Sequence, residues 1–211
     1  MKKYKRIAIY LMGLAVLTCG QRLFVEAGLG AGAFDSTCVG LSQWTMFSAG
    51  TWVTIGSFVL MLLSALLERR RPNLWVMLSS FVFGLLFDGW GQIFARILPD
   101  AIPLIGQILL YVVAILLAPL GTAIYFTTDI SKSAYDEIIV ALQTACKVPI
   151  WLSKTIVEGT MLLLGSIVRG PIGVTTIVTA FAFGPLLQKY MNFLECRNFR
   201  ALQWKQNEKE C

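Results

Sequence analysis

The sequence contains no histidine and few charged residues. Of its 211 residues, 14% are charged and 56% are hydrophobic, whereas a soluble domain carries about 25% charged residues. Without histidine the chain cannot form HExxH zinc sites, Ser-His-Asp triads or histidine proton relays. The composition therefore predicts a polytopic membrane protein forming a single membrane domain, residues 1–211.

Cysteine motifs and processing signals are also scarce. The five cysteines have no CxxC spacing, so we expect no disulfide framework, no metal site and no cofactor. No A-x-A-like cleavage site follows the basic N-terminus, which favours a first membrane span over a signal peptide. The net charge of +6 is not gathered on one face, so we expect no nucleic-acid partner. No nucleophile–base pair stands out, so we expect no enzymatic activity.

The sequence does contain a diverged copy of itself. Ala33-Phe34-Asp35 recurs 101 positions later as Ala134-Tyr135-Asp136. Phe81-Val82-Phe83-Gly84 recurs 100 positions later as Phe181-Ala182-Phe183-Gly184. Two such halves of a membrane protein usually pack about a pseudo-symmetry axis, and a substrate would bind at their interface.

Six apolar runs approach or exceed the length needed to cross a bilayer. They lie at about Ile7–Val25, Thr51–Leu67, Leu74–Ile97, Leu104–Phe126, Pro149–Val168 and Ile172–Phe193. Repeat 1 covers about 5–98 and repeat 2 about 103–193, followed by a tail at 194–211. Pro119 predicts a kink in the fourth span. Three crossings per repeat is an odd number, so the second copy must enter the bilayer upside down, as an inverted repeat.

Basic residues concentrate on one side of this topology. With the N-terminus in the cytoplasm, fifteen of the 18 Lys and Arg residues fall on the inner side. The outer side receives only Arg22, Arg96 and Arg169. The positive-inside rule therefore predicts that both termini are cytoplasmic.

Two stretches between the spans are too short and too polar to cross a membrane alone. A glycine-rich hinge containing Gly28 and Gly30 leads into residues 33–43, and the repeat equivalent of that stretch is 134–143. Both stretches predict short helices with an acidic residue in the first turn, where it complements the positive helix end. Two placements are open: flat in the membrane interface, or re-entrant from opposite sides.

Two signatures in these regions resemble a known family. Ala27–Asp35 followed by Val39–Ser42 is similar to the first signature of the bacterial YczE/YyaS/YitT membrane-protein family. Arg169–Thr176 with Phe183–Leu186 resembles its C-terminal signature, and the YczE branch is the closer match. The resemblance covers nearly the whole chain. It implies a multi-pass protein of the bacterial cytoplasmic membrane, of a kind often described as transporters, and names no substrate.

Asp35 and Asp136 occupy equivalent positions and are the first candidates for a binding site. At the interface between the repeats they would bind a proton, another cation or a cationic group. The alternative is that each caps a helix N-terminus. The family often has proline two residues before the acidic position, and Ala33 and Ala134 stand there in this chain. The resemblance therefore predicts a less rigid helix entry.

Glu158 lies near the middle of the fifth span. An ionisable group at that depth costs about 2.5 to 3.5 kcal/mol on insertion scales and is a functional candidate by default. Lys154 precedes it by four residues, so an intrahelical ion pair is the alternative.

Asp88 and Gln188 are equivalent to each other, and each follows a glycine by four residues, Gly84 and Gly184. Small residues let membrane helices approach closely, which predicts packing roles for the two glycines. Asp88 either reaches the outer interface or, if it faces inward, lines a cavity together with Gln188.

Further candidates are polar or turn-forming. Gln43 and Gln143 would contribute polar lining from the two short segments. Gly170, Pro171 and Gly173 predict a rigid turn before the sixth span. The alternative for this turn is an anion site on free backbone amides.

Together these patterns predict an all-α protein of six transmembrane helices, arranged as two inverted three-helix repeats, each with a short re-entrant or interfacial helix. The predicted function is secondary transport of a small solute, bound at the repeat interface and coupled to a proton or Na+. Its partners are the lipid bilayer and that solute, and the many glycines leave a homodimer open. The alternative is a membrane accessory or assembly protein without a transport cycle, in which Asp35, Asp136 and Glu158 share no cavity.

Overall fold

The computed structural model describes residues 3–207 except 73, 100, 129, 131 and 132. Over these residues the secondary structure consists of eight α-helices without a strand, which confirms the all-α prediction. The helices are α1 (Lys3–Ala27), α2 (Ala33–Trp44), α3 (Ala49–Leu67), α4 (Leu74–Ile97), α5 (Leu104–Phe126), α6 (Ala134–Cys146), α7 (Ile150–Ile167) and α8 (Val174–Asn207). Residues 208–211 of the predicted tail lie outside the described residues.

Four helices are long and apolar enough to cross a membrane: α1, α3, α4 and α5. They coincide with the first four predicted spans, and Pro119 lies inside α5 without ending it. Helices α7 and α8 occupy the fifth and sixth predicted spans. Over their described residues they do not meet the length and hydropathy requirements that the other four helices meet. Helix α8 also continues past Phe193 to Asn207. The protein is thus a helical membrane protein.

Helices α1 and α5 form the centre of the fold and run antiparallel. They approach so closely that a methyl group at Gly20 would collide with the backbone of Ala118. A methyl group at Gly121 would likewise collide with the backbone of Leu17. Glycine at these two positions is therefore required by the helix spacing rather than by backbone conformation.

Aromatic pairs flank the glycine contacts at both ends of this helix pair. The rings of Tyr10 and Tyr125 meet edge to face with centroids 5.9 Å apart. The rings of Phe24 and Tyr111 lie 5.4 Å apart. All four residues are buried, so the α1–α5 pair is a packed core and not a pore.

Helix α3 packs on α4 through a second glycine contact. A methyl group at Gly84 would collide with the carbonyl oxygen of Gly50 and the hydroxyl group of Thr54. The equivalent Gly184 on α8 is different, because a methyl group there would meet no described atom within 4 Å. The close helix contact predicted at Gly84 is present in the structure, whereas Gly184 has no such contact within this described chain.

The C-terminal ends of α3 and α7 have the same geometry. Arg69 and Arg169, 100 positions apart, both adopt left-handed backbone angles, with φ of 52° and 55°. At both ends a backbone N–H donates to the carbonyl oxygen five residues earlier: Arg70 N to Ala65 O at 3.0 Å, and Gly170 N to Gly165 O at 2.8 Å. This bond is characteristic of a Schellman cap.

Candidate functional site

The two short segments are helices, as predicted. Helix α2 has 12 residues and α6 has 13, which at 1.5 Å per residue gives about 18 and 20 Å. Neither is long enough to cross the hydrocarbon core. Asp35 and Asp136 occupy the third helical position. The N-cap residues are Gly32 and Ser133, so the prediction that the two aspartates are N-caps is wrong.

Each short helix is held by a long helix from the other half of the chain. Helix α2 packs on α7, where the Thr37 hydroxyl donates to the Met161 carbonyl oxygen at 2.8 Å. Helix α6 packs on α3, where Ile138 and Ile139 share an apolar cluster with Leu60. The equivalent helices of the two halves therefore exchange partners.

The N-terminal ends of α2 and α6 meet at one aromatic contact. The rings of Phe34 and Tyr135 are tilted at 44° with centroids 5.9 Å apart. Phe34 also lies against Gly56 on α3, where a methyl group would be 3.1 Å from the ring. Phe34 and Tyr135 are repeat equivalents, so this contact lies where the two halves meet.

Asp35 is buried beside this contact. Its side chain is 4% exposed, and among the described residues it forms no hydrogen bond or ion pair. The carboxylate oxygen Oδ2 lies 3.2 Å from the position that a Cβ of Gly32 would take. Burial raises the pKa of the Asp35 carboxyl from 3.8 to about 7, because the ionised form is disfavoured without water or a cation.

The Tyr135 hydroxyl is affected electrostatically by the three carboxylates that the sequence analysis selected as candidates. Burial raises the pKa of its hydroxyl, and the charges of Glu158, Asp35 and Asp136 raise it further, in that order. The hydroxyl therefore stays protonated and can act as a donor. The three acidic side chains come from α2, α6 and α7, yet all lie within electrostatic range of one hydroxyl.

The other two carboxylates are less isolated than Asp35. Glu158 is half-buried and its Oε1 lies 3.8 Å from Lys154 Nζ, so the predicted intrahelical pair is present. This separation is too long for a hydrogen bond. Asp136 is also half-buried and has an interaction partner of its own.

Asp88 holds the start of α3. Its Oδ1 accepts the backbone N–H of Gly50 at 2.8 Å, and its Oδ2 accepts the hydroxyl group of Ser48, the N-cap residue. A carboxylate at this position complements the positive helix end. These contacts account for Asp88 by structure alone, at the opposite end of α3 from α6.

The predicted glutamines do not contact the Phe34–Tyr135 pair in the described structure. Gln188 is exposed, and its Nε2 donates to Asn192 Oδ1 at 2.9 Å. Gln43 is exposed and Gln143 is half-buried. Of the predicted polar candidates, Asp35, Asp136 and Glu158 thus share an electrostatic effect on one hydroxyl, that of Tyr135.

Two glycines of the predicted hinge adopt backbone conformations that favour glycine. Gly28 and Gly30 have φ of +68° and +133°, a region that residues with a Cβ rarely occupy. The hinge packs on the turn before α8, because Ala31 N donates to Pro171 O at 2.9 Å. The Ser36 hydroxyl donates to the same oxygen, also at 2.9 Å.

Within the described structure, none of the backbone amides of residues 170–173 is free to bind an anion. Gly170 N donates to Gly165 O and Ile172 N donates to Gly170 O, each at 2.8 Å. Gly173 N donates to Thr176 Oγ1 at 3.2 Å, and Pro171 has no N–H. Gly170 and Gly173 lie directly against backbone carbonyl groups, of Ser36 and Leu29 respectively. The rigid-turn interpretation therefore accounts for all three predicted residues.

The two signature regions are thus in direct contact across more than 130 residues of sequence. A model of the family of unknown function DUF6198 matches residues 4–192 of this chain. The chain belongs to this family.

Relatives of this DUF6198 protein are similar over most of their length. The uncharacterized protein YyaS of Bacillus subtilis (strain 168) is 31% identical over 189 residues, covering 88% of this chain and 92% of that protein. An uncharacterized protein of Haemophilus influenzae is 27% identical over 192 residues, covering 91% and 86%. The uncharacterized membrane protein YczE of B. subtilis is 24% identical over 184 residues, covering 87% and 84%. No solved structure matches.

These findings confirm the resemblance to the YczE/YyaS family. The identity to YyaS exceeds that to YczE, so the expected closer match to the YczE branch is not supported.

Sequence reasoning on this DUF6198 chain overlooked Phe34 and Tyr135. The aspartates beside them are the more obvious candidates, because acidic residues in membrane segments are rare and usually functional. The signal was nevertheless available, since the two aromatics are themselves equivalent across the repeat. Ser36 and Thr37 were also missed, and no spacing in the sequence marks them as bridges to the turn before α8 and to α7.

A cavity of about 310 Å³ lies elsewhere, near the ends of α1 and α4 and the start of α5. It is lined by Glu26, Phe94, Ala95, Leu98, Pro99, Ile102 and Gln107. None of the predicted site residues is among these. Glu26 is paired with Arg22 NH2 at 2.7 Å, so its charge is compensated. The candidate functional site is therefore the meeting point of α2 and α6.

Proposed function

We propose that this protein is a secondary transporter of a small solute in the bacterial cytoplasmic membrane, with its site where the N-terminal ends of α2 and α6 meet. It has six spans arranged as two inverted three-helix repeats, and both termini are cytoplasmic. Its partners are the bilayer, the solute and a coupling proton or Na+. It carries out no enzymatic reaction and binds no nucleic acid, and it works alone or as a homodimer.

Inversion of the repeats is supported by the contacts between α1 and α5. These helices are equivalent first helices, and they run antiparallel. Adding or subtracting 101 converts the Gly20–Ala118 contact into the Gly121–Leu17 contact. The same operation converts the Tyr10–Tyr125 pair into the Tyr111–Phe24 pair. A twofold axis perpendicular to both helices produces this pattern, and such an axis lies in the membrane plane.

The re-entrant placement of α2 and α6 is supported by their exchanged partners and by the Phe34–Tyr135 contact. Residues that are equivalent by a twofold axis and also touch must lie close to that axis. Phe34 contacts Gly56, well inside α3 and away from its ends. The two helix N-termini therefore approach the membrane centre from opposite sides, which is the arrangement of broken helices in many transporters.

The fifth and sixth spans are supported by length. Helix α7 has 18 residues, about 27 Å, close to the hydrocarbon thickness of about 30 Å. The stretch Val174–Phe193 of α8 contains one charged residue, Lys189. The two charged residues of α7, Lys154 and Glu158, are expected in a helix that faces a site rather than lipid.

The transport step follows from this geometry. Asp35, Asp136 and Glu158 supply carboxyl groups from three different helices, and their charges act on the hydroxyl of Tyr135. Rocking of one repeat against the other would open this centre first to one side and then to the other. The contact between Phe34 and Tyr135 where the two halves meet, with the buried carboxylate of Asp35 next to it in sequence, is the observation that carries the proposal.

Flux measurements in proteoliposomes test this function. A panel of small solutes is first profiled with the wild type, and any transported solute is then measured with Asp35→Asn, Asp136→Asn and Glu158→Gln. We expect at least a tenfold loss of flux in Asp35→Asn, with smaller losses in the other two. Gln43→Ala, which changes an exposed residue of α2, should transport as the wild type does. Unchanged flux in all three acidic variants would contradict the assignment.

One observation favours the alternative, a membrane accessory or assembly protein. The cavity of about 310 Å³ is not lined by Asp35, Asp136 or Glu158. If the protein is an accessory or assembly protein, the purified protein should transport no solute of the panel. The three acidic variants should then support assembly of whatever complex the protein serves as well as the wild type does.

A further inference from the structure

Asp35 differs from two other acidic candidates, Asp88 and Glu158, in its contacts within the described residues. It is 4% exposed and forms no hydrogen bond or ion pair within the described part of the chain. Asp88 accepts two hydrogen bonds, and Glu158 lies near Lys154. An isolated carboxylate is costly to bury, and such a group neutralises rather than remaining charged.

The charged and titratable groups around Asp35 do not compensate it. On its own helix the neighbouring group is the Cys38 thiol. Helix α6 contributes Tyr135 and Asp136. Helix α7 contributes Glu158 and Lys154, whose ammonium group already faces that glutamate.

Helix α3, which also packs against α2, has no charged residue between Ala49 and Leu67. Among the described residues, therefore, no cationic group pairs with Asp35, and the one lysine named here already faces Glu158.

A metal cation is a poor fit for this position. Hard cations take several oxygen ligands at once. In the described residues no three Asp, Glu, Cys or His side chains form a group that could hold a metal ion. A proton needs only one carboxylate oxygen.

We propose that Asp35 is the proton-binding residue of the transport cycle, so that the coupling ion is a proton and not Na+. This rests on the proposed transport function. The carboxylate takes one proton from water on one side of the membrane and becomes a neutral carboxyl group while the centre is closed. It returns that proton to water on the other side.

Release is assisted by the position of Asp35 in α2. It lies in the first turn, where the positive helix end favours the ionised form. In the closed state burial outweighs this effect, and the pKa of Asp35 is raised to about 7. Once water reaches the centre the burial cost falls, and the helix end draws the group back to the carboxylate.

Infrared difference spectroscopy of the purified full-length protein tests the inference without a transported solute. The C=O stretch of a protonated carboxyl is followed while the pH is raised from about 5 to about 9, a range above the ordinary pKa of Asp. We expect a protonated band that disappears with a midpoint near neutrality. It should be absent in Asp35→Asn and present in Asp136→Asn and Glu158→Gln. Replacing K+ by Na+ should not move the midpoint.

Isotopic labelling keeps the test decisive if Asp35→Asn does not fold. Labelling aspartate with carboxyl-13C should shift the frequency of the band in the wild type. In Asp35→Glu the same label should leave the frequency of the band unchanged, because the protonated group is then a glutamate. A band that persists in Asp35→Asn, an ionised carboxyl at all pH values, or a midpoint lowered by Na+ would overturn the inference.

The two proposals fail separately. If Asp35→Asn abolishes flux but the wild type has no titrating band, the transport function stands and the proton assignment is wrong. If the band is present and titrates near neutrality while no solute of the panel moves, Asp35 binds a proton and secondary transport is wrong.

Discussion

At the residue scale, equivalent side chains in the two repeats have different surroundings. Asp35 is buried and has no hydrogen-bond or ion-pair partner among the described residues, whereas Asp136 is half-buried and has an interaction partner. A pair of carboxylates in unequal environments is a common way to assign one group to proton binding and the other to charge balance. The repeat supplies two copies of the acidic residue, and packing fully buries only one of them, Asp35.

The buried Asp35 makes stability depend on pH. Its folded-state pKa is raised from 3.8 to about 7, so the folded state binds the proton more tightly than the unfolded state does. Stability of the wild type therefore falls as the pH rises from about 4 to about 7 and stays low above that. Asp35→Asn should remove this loss, which is worth at most about 4 kcal/mol.

Thermal unfolding in detergent checks this. The Tm of Asp35→Asn should exceed that of the wild type by several degrees at about pH 8 and by little at about pH 5. Asp88→Asn is the control for a carboxylate that has partners. It weakens two hydrogen bonds at the start of α3 and should lower Tm at both pH values. A Tm gain for Asp35→Asn that does not grow with pH would contradict the burial argument.

At the element scale, the two repeats pack their last two helices differently. Helix α3 meets α4 at the Gly50–Gly84 contact, reinforced by Asp88. The residues equivalent to Gly50 and Asp88 are Trp151 and Gln188, which can reproduce neither the close approach nor the carboxylate cap. The sequence itself thus encodes the asymmetry, and α8 packs on α5 instead.

This asymmetry predicts opposite outcomes for one substitution at equivalent positions. Gly84→Ala should destabilise by about 1 to 3 kcal/mol, because the methyl group collides with Gly50 and Thr54. Gly184→Ala should be neutral or stabilising by up to about 1 kcal/mol, because alanine favours the helix and the space is open. Thermal unfolding of the two variants in the same detergent measures both. Equal losses would mean that Gly184 is packed after all, for example against a second copy of the chain.

At the scale of the whole molecule, the two halves are interlocked rather than side by side. Each short helix rests on a long helix of the other half, and the α1–α5 pair joins the halves at their centre. Neither half can therefore bury its apolar surfaces alone.

Thiol labelling tests the inverted topology. Cys146 is exposed at the end of α6, and Met46, also exposed, follows the equivalent end of α2. With the other cysteines replaced by alanine, an impermeant thiol reagent should reach Met46→Cys only from outside the cell. It should reach Cys146 only from the cytoplasmic side. Labelling of both positions from the same side would exclude inverted repeats.

Much of the helix layout could be read from the sequence, since a long apolar run has no stable alternative in a bilayer to a spanning helix. The bounds of α4 and α5 match the predicted spans for this reason. The roles of Asp88 and the turn before α8 could not be read in the same way. An acidic residue in a cavity and one capping a distant helix look identical until the helices are packed.

The sequence by itself determined the membrane class, the eight helical segments and the equivalence of residues 101 positions apart, because apolar run length and internal similarity are local properties of the chain. Only the tertiary structure decided that α2 rests on α7, that Phe34 meets Tyr135, and that Asp35 has no partner in the part of the chain that the structure describes. These depend on contacts between segments more than 90 residues apart, whose free energies no single segment contains.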